Sequence, residues 1–137
     1  MQDISPATLL VLVPLLPLIG AIATVVFGRL LGSRAHLPAV ISIAVALACA
    51  IVLLAGTARL VGDSHGNAVR PVEMITTLWQ WATVDGPLPF SIPVALRLDP
   101  LTATMLTIIT SVGLLVAIYS IGYMHDDPGY PRFFALV

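Results

Sequence analysis

Charged side chains are scarce in this sequence. They make up 9% of its 137 residues, lysine is absent, and the net charge is −1. Soluble domains carry about 25% charged residues, whereas 58% of this chain is hydrophobic and its mean hydropathy is +1.03. The composition therefore predicts an integral membrane protein. Because it contains no basic run, it also excludes nucleic-acid binding through a basic patch.

Cysteine is nearly absent too. Cys49 is the single one, which excludes an intrachain disulfide and any metal or iron–sulfur site built from several cysteines. Cys49 lies in an apolar run, so we expect it to face lipid or another helix. No glycine-rich nucleotide fingerprint follows a strand. We therefore expect the chain to hold no cofactor and no catalytic residues.

The histidines give little indication of a metal site. His36 lies in a short polar segment with no second ligand type nearby, so we interpret it as a solvated loop histidine. His65 lies two residues from Asp63 in the least hydrophobic stretch. Two possible ligands alone are weak evidence, because metal sites in proteins use three or four. The sequence therefore predicts no bound metal.

What the sequence does contain is three long uncharged runs. Residues 7–27, 38–58 and 101–122 carry no charge, and about 20 apolar helical residues cross a bilayer core of about 30 Å. We predict transmembrane helices at about 7–28, 38–60 and 100–123. The first basic residue, Arg29, follows the first run, so we expect a retained helix and not a cleaved signal peptide.

Small residues recur every four positions in the first two runs. One stripe is Gly20, Thr24 and Gly28, and the other is Ser42, Ala46 and Ala50. Small residues at this spacing allow another helix to approach closely. We therefore expect each stripe to face a neighbouring helix.

A change of period marks residues 76–98. Trp79 and Trp81 are two apart, and Asp85-Gly86 is a strong signal for a hairpin turn. Apolar residues then occupy every second position from Phe90 to Leu98, which is typical of a strand with one apolar face. Pro93 predicts an edge strand, because proline cannot donate to a ladder. We predict an extramembrane β-hairpin between the second and third helices, with the tryptophans at the membrane–water boundary.

The third helix has clear start signals and two polar faces. Asp99 is typical of an N-cap, and Pro100 fits the first helical position. One face carries Thr104, Thr107 and Ser111, and the other carries Thr110, Gly113, Ala117 and Ser120. Such faces line a hydrated path in some membrane proteins. More often they are packing surfaces, and we favour packing here.

The stretch from Leu98 to Phe134 carries a resemblance to a known family. It opens with Leu-Asp-Pro-Leu-Thr, continues with Tyr-Ser-Ile-Gly-Tyr-Met, and ends with Pro-Gly-Tyr-Pro-Arg-Phe-Phe. In this order the motifs resemble the third transmembrane helix of the antiporter-like subunits of respiratory complex I (NADH-quinone oxidoreductase), of the chain 5 type. The residues that carry the resemblance are Asp99, Pro100, Thr102, Tyr119, Ser120, Tyr123, Tyr130, Arg132, Phe133 and Phe134.

The resemblance implies a proton-translocating membrane subunit of a multisubunit respiratory complex in the bacterial inner membrane. It implies that electron transfer belongs to other subunits and that the proton-relay glutamate and lysines lie on later helices. The hairpin would then lie on the outer surface against neighbouring subunits, and the N-terminus would lie outside. Arginines divide three against three between the two sides, and the short loop with Arg29 and Arg34 mildly favours the same orientation.

Other interpretations remain open. Multisubunit sodium/proton antiporters and membrane hydrogenases have subunits of the same fold that share the third-helix motifs loosely. A free-standing structural or assembly protein is a rival of another class. A self-sufficient transporter requires an ionisable group inside the membrane. A further apolar segment begins at about residue 132 and is too short to span a bilayer, which predicts a chain cut at the start of a fourth helix. Asp126, Asp127 and Arg132 either dock on neighbours or form an ordinary charge cluster beside the helices.

Overall fold

The computed structural model describes residues 5–31, 34–63, 73–84, 90–124, 127 and 130–136. The element order is α1 (Pro6–Leu31), α2 (Leu37–Asp63), β1 (Met74–Val84), β2 (Phe90–Leu98), α3 (Pro100–Tyr123) and α4 (Tyr130–Leu136). Within those residues, three helical segments are long and apolar enough to cross a membrane, namely Pro6–Gly28, Leu37–Gly62 and Pro100–Tyr123. The predicted fold class is confirmed, with three such helices and a two-stranded hairpin between the second and the third.

Helices α1 and α2 pack through their small residues. Thr24, Ala46 and Ala50 are all buried. At Gly20 a Cβ would overlap the side chain of Ser42 and would lie 3.0 Å from the carbonyl oxygen of Pro38. The two backbones approach this closely because glycine has no side chain to separate them.

Helix α3 begins as its sequence indicates. The backbone of Asp99 is extended, with φ −135° and ψ 170°, and its side chain accepts a hydrogen bond of 2.6 Å from the Thr102 N–H. Pro100 occupies the first helical position, where a missing N–H leaves no bond unmade. Asp99 is therefore the N-cap of α3, as predicted. The helix then packs against α2, with Ala103, Ala117 and Ser120 buried.

The hairpin is antiparallel, and its register is irregular. Met74 pairs with Leu98 at the base and Val84 pairs with Phe90 at the far end, while the register skips Leu78 and Trp81. An extra residue in one strand is a β-bulge, which interrupts the alternation of side chains. The two-residue spacing of Trp79 and Trp81 therefore does not by itself place them on one face.

Two apolar clusters lie at opposite ends of the helices. At the hairpin end, Leu10 and Val13 of α1 pack with Leu53 of α2, Ala103 of α3 and Leu98 of β2. At the loop end, where α1 connects to α2, the second cluster joins residues from the start of α2 and from α4. Its buried members are Ala35, Ala39, Tyr130 and Phe134. The base of the hairpin and α4 are thereby held at opposite ends of the helices.

Some predicted features lie outside the described residues. They are the Asp85-Gly86 turn, the stretch 64–72 with His65, and Asp126. Helix α4 begins at Tyr130, two positions before the start that the sequence indicates.

Candidate functional site

The charged groups at the hairpin end form a small linked set. Arg97 Nε lies 3.2 Å from Glu73 Oε1 and 3.8 Å from Asp99 Oδ2. The hydrogen bonds from Thr102 and the nearby Arg97 charge together hold the pKa of Asp99 below its usual value. These groups join the base of the hairpin to the first turn of α3. The arrangement orients the base of β2 relative to the start of α3.

Five threonine and serine hydroxyls of α3 donate to backbone carbonyls of their own helix. Thr104 donates to the Pro100 carbonyl at 2.8 Å, and Thr107 donates to the Ala103 carbonyl at 2.9 Å. The hydroxyls of Thr110, Ser111 and Ser120 donate in the same way to carbonyls four residues earlier. Such bonds engage the hydroxyl hydrogen within the helix itself.

Polar groups in the helix interface are satisfied too. Thr24 donates to the Gly20 carbonyl at 2.8 Å, and Ser42 donates to the Ala39 carbonyl at 2.8 Å. In the part of the chain that the structure describes, no buried side-chain nitrogen or oxygen lacks a hydrogen-bond partner. The interface therefore presents no unsatisfied polar group for a ligand.

An aromatic cluster closes the loop end. The Tyr130 hydroxyl and His36 Nδ1 are hydrogen-bonded at 2.7 Å. The Tyr130 ring packs on Phe134 with centroids 4.9 Å apart, and Phe134 is 1% exposed. Burial raises the pKa of the Tyr130 phenol, so the phenol keeps its proton at neutral pH. This cluster attaches the start of α4 to the connection between α1 and α2.

The interpretation of His36 as a solvated histidine is wrong. Its ring is half-buried and contacts both Tyr130 and Phe134. Its hydrogen-bond partner is far away in the sequence, and no local pattern around residue 36 indicates it. Only the return of the chain along α3 brings the two side chains together.

The residues that carry the family resemblance occupy three separate places. Asp99, Pro100 and Thr102 form the N-cap at the hairpin end. Ser120 is buried in α3, while Tyr119 and Tyr123 stack on each other, 72% and 76% exposed. At the loop end Tyr130 and Phe134 are buried, Phe133 is half-buried and Arg132 is exposed.

The structure therefore does not bring these residues into one site. Across residues 5–31, 34–63, 73–84, 90–124, 127 and 130–136, no three histidine, cysteine or carboxylate side chains are placed to hold a metal ion. What the described residues form is a packed scaffold with exposed faces, and the candidate functional surfaces are those faces.

Comparison with known proteins finds one family model and several proteins that are similar to this chain. A family model described as NADH-ubiquinone oxidoreductase (complex I), chain 5 N-terminus, matches residues 81–134. NADH-quinone oxidoreductase subunit L of Neisseria meningitidis is 35% identical over 132 residues, which is 95% of this chain and 18% of that protein. A chloroplastic NAD(P)H-quinone oxidoreductase subunit 5 of Poa pratensis is 52% identical over 60 residues, which is 44% of this chain and 8% of that protein.

A relative that is described as a transporter subunit has a similar sequence identity and coverage. A probable inorganic carbon transporter subunit DabB1 of Halothiobacillus neapolitanus is 35% identical over 127 residues, which is 92% of this chain and 19% of that protein. The chain thus spans about a fifth of the length of these two bacterial relatives. Over that length, the similarity covers the three apolar helices and the hairpin.

Proposed function

Since the chain belongs to the chain 5 (subunit L) family of complex I, we propose that it supplies the scaffold formed by the first helices of a proton-translocating membrane subunit. The family relationship confirms the resemblance seen in the Leu98–Phe134 motifs. In this function the chain provides helix packing and contacts to other membrane subunits. Electron transfer, quinone reduction and the proton relay belong to other parts of the assembly.

One observation carries the scaffold proposal. The three candidate spans contain no Asp, Glu, Lys or His, and Arg59 is their only charged residue. Proton relays in membranes are chains of ionisable side chains. The α3 hydroxyls that could replace them donate to their own backbone. The chain therefore supplies rigid helices beside a relay, and it does not supply the relay.

The orientation follows from the ends of the helices. Arg34 and Arg132 are exposed, and both lie at the loop end with the short α1–α2 connection. Arg59 and Arg97 lie at the hairpin end, Arg97 beside Glu73, so the number of arginines alone does not decide the orientation. Because short loops and residues near helix ends dominate the positive-inside rule, we assign the loop end to the inside. The N-terminus and the hairpin then lie outside.

Partners are proposed on the same basis. The described hairpin residues Trp79, Trp81, Val84 and Phe90 are exposed, and an isolated two-stranded hairpin is marginally stable. A neighbouring membrane subunit on the outer surface is the partner that this hairpin requires. Asp127 and Arg132, both exposed, would contribute to inner-side contacts.

The test begins with the native protein in its own membranes. We would attach an affinity tag to the N-terminus in the chromosome, purify in mild detergent, identify the co-purifying subunits by mass spectrometry, and record the intact mass of the tagged polypeptide. We expect complex I subunits and NADH-driven proton uptake by inverted vesicles, with uptake lost when the gene is deleted. A tagged product near 14.4 kDa with none of those subunits would contradict the proposal and favour a free-standing structural protein.

A second candidate is a subunit of an inorganic carbon transporter. The similarity to DabB1 favours it, because identity and coverage nearly equal those to subunit L. This candidate predicts a deletion strain whose growth defect is rescued by high CO₂, with NADH-driven proton uptake intact. The proposed function predicts the reverse. A sodium/proton antiporter would instead give sodium sensitivity, and a membrane hydrogenase would give loss of hydrogenase activity.

A further inference from the structure

The face of α3 that points away from α2 forms a continuous apolar stripe. Its members are Leu101, Met105, Ile108, Val112 and Leu115, and all five are exposed. They recur at intervals of three and four residues, which places them on one side of a helix. We name this the outer stripe of α3. The opposite side of the helix carries Ala103, Ala117 and Ser120 and is buried.

Two tyrosines continue this stripe toward the loop end. Tyr119 and Tyr123 are 72% and 76% exposed, and their rings stack with centroids 6.1 Å apart. At 1.5 Å per residue, Tyr119 lies about 27 Å and Tyr123 about 33 Å along the axis from Leu101. That distance matches the thickness of a bilayer hydrocarbon core, which is about 30 Å.

At both ends of the stripe the side chains change from apolar to polar, as a bilayer changes from its hydrocarbon core to its headgroups. At the hairpin end, Leu101 adjoins the charged set of Glu73, Arg97 and Asp99. At the loop end the two phenols place hydroxyl groups where headgroups would lie, and tyrosine is enriched at that depth. Only aliphatic and thioether side chains lie between these ends on the stripe. A water-lined path would require polar groups along that length.

The size of the side chains distinguishes lipid from another helix. Helix interfaces in membranes are enriched in glycine, alanine, serine and threonine, because these residues let backbones approach closely. In α3 the buried small residues Ala103, Ala117 and Ser120 lie on the opposite face, whereas the outer stripe has large side chains throughout. Gly20 and Ser42 show the same small-residue packing between α1 and α2.

We propose that the outer stripe of α3, with Tyr119 and Tyr123, is the lipid-facing perimeter of this protein in its native assembly, with the tyrosines in the headgroup layer at the loop end. Acyl chains would cover Leu101 to Leu115. The two phenols would fix the depth of α3. This assignment does not depend on which assembly contains the chain.

Cysteine scanning with spin labels tests the assignment in native membranes. Cys49, the only native cysteine, is first replaced by alanine. Labels are then placed singly by Ile108→Cys, Val112→Cys and Tyr123→Cys, with Leu106→Cys as the matched control. Leu106 is half-buried and packs against the cluster at the hairpin end.

We expect a mobile label at positions 108 and 112, with collision rates for oxygen several-fold higher than at position 106. At position 123 we expect oxygen collisions to fall and collisions with a water-soluble nickel reagent to rise. Immobilised labels with low oxygen access at 108 and 112 would overturn the proposal, since another protein segment would then cover the stripe.

Photo-cross-linking gives an independent measurement that does not require spin labelling. A benzophenone amino acid at position 112 or 119 should give covalent lipid adducts in native membranes, seen as a lipid-sized increase in intact mass. A cross-link from position 112 to another polypeptide, or to a second copy of this chain, would contradict the proposal. Neither result depends on the subunit composition of the assembly. The proposed function is therefore tested separately, by co-purification.

Discussion

Asp99 and Tyr130 carry the polar contacts that attach the ends of the helices. Asp99 caps α3 where the hairpin ends. Tyr130 holds the start of α4 against His36. Both side chains act through hydrogen bonds, so isosteric substitutions separate the polar contribution from the packing.

We expect Asp99→Ala to lower the stability of the chain to SDS denaturation in bicelles, because the Thr102 N–H loses its acceptor. Asp99→Asn is the matched control, since asparagine also caps helices, and it should lie closer to the native protein. Circular dichroism during the titration measures both midpoints. Equal midpoints for alanine and asparagine would show that the cap contributes nothing.

The pKa of Asp99 predicts a pH dependence. Hydrogen bonds lower its pKa in the folded state below the reference value of 3.8. The stabilisation is therefore complete above the unfolded pKa and is lost as the pH falls through the lower folded value. We expect the midpoint difference between the native protein and Asp99→Ala to shrink below about pH 4. A difference that grows on acidification would contradict this sign.

Tyr130→Phe should lower the free energy of unfolding by about 1 kcal/mol, the typical net contribution of one hydrogen bond. The substitution removes the hydroxyl that contacts His36 and keeps the ring packed on Phe134. Tyr119→Phe changes an exposed tyrosine and is the control, for which we expect little effect. If both variants unfold alike, the His36 contact does not stabilise the fold.

Among the elements, the contacts of α2 with α1 and with α3 both combine small residues with hydroxyl groups that donate to their own helix. Gly20 lies against Ser42 with no room for a Cβ. In α3 the buried Ser120 donates its hydroxyl to Val116, so a polar residue is tolerated in an apolar interface. Small residues and satisfied hydroxyls are thus the means by which these helices approach each other.

Gly20→Ala should destabilise the chain by about 1–3 kcal/mol, the usual cost of overpacking, although alanine is the better helix former. Gly56→Ala is the matched control, because a Cβ there meets nothing within 4 Å. We expect that control to be neutral or stabilising by about 0.5–1 kcal/mol. Steric trapping or SDS titration measures both. A Gly20→Ala variant as stable as Gly56→Ala would show that the two helices separate easily.

The α3 hydroxyls give a prediction about transport in the native assembly. Thr107→Val keeps the shape of the side chain and removes a hydroxyl that donates to Ala103. We expect NADH-driven proton uptake by inverted vesicles to stay close to that of the native strain. A large loss of uptake with normal assembly on native gels would place Thr107 in a proton path.

At the scale of the whole molecule, three apolar helices are tied together at both ends. The hairpin base is held by Leu98 and the Arg97 ion pairs, and α4 is held by the His36–Tyr130 cluster. Between those ends the helix faces that are not packed on each other are apolar and exposed. Such a molecule needs a membrane to cover much of the rest of its surface.

The fold class was predictable because it depends on local properties. Long uncharged runs specify helices that cross a bilayer, and strict alternation from Phe90 to Leu98 specifies a strand. The Asp99-Pro100 cap was also predictable, because its hydrogen bond to Thr102 joins residues three apart. Family membership came from the same stretch, since the motifs from Leu98 to Phe134 occur in a fixed order.

Tertiary structure alone decided the features that join distant residues. The pairing of His36 with Tyr130, the bulges that leave out Leu78 and Trp81, and the insertion of Gly20 against Ser42 depend on how helices and strands meet. A sequence pattern indicates which face of a helix is small or polar. It does not indicate which other element covers that face, because the covering element is chosen by the packing of the whole chain.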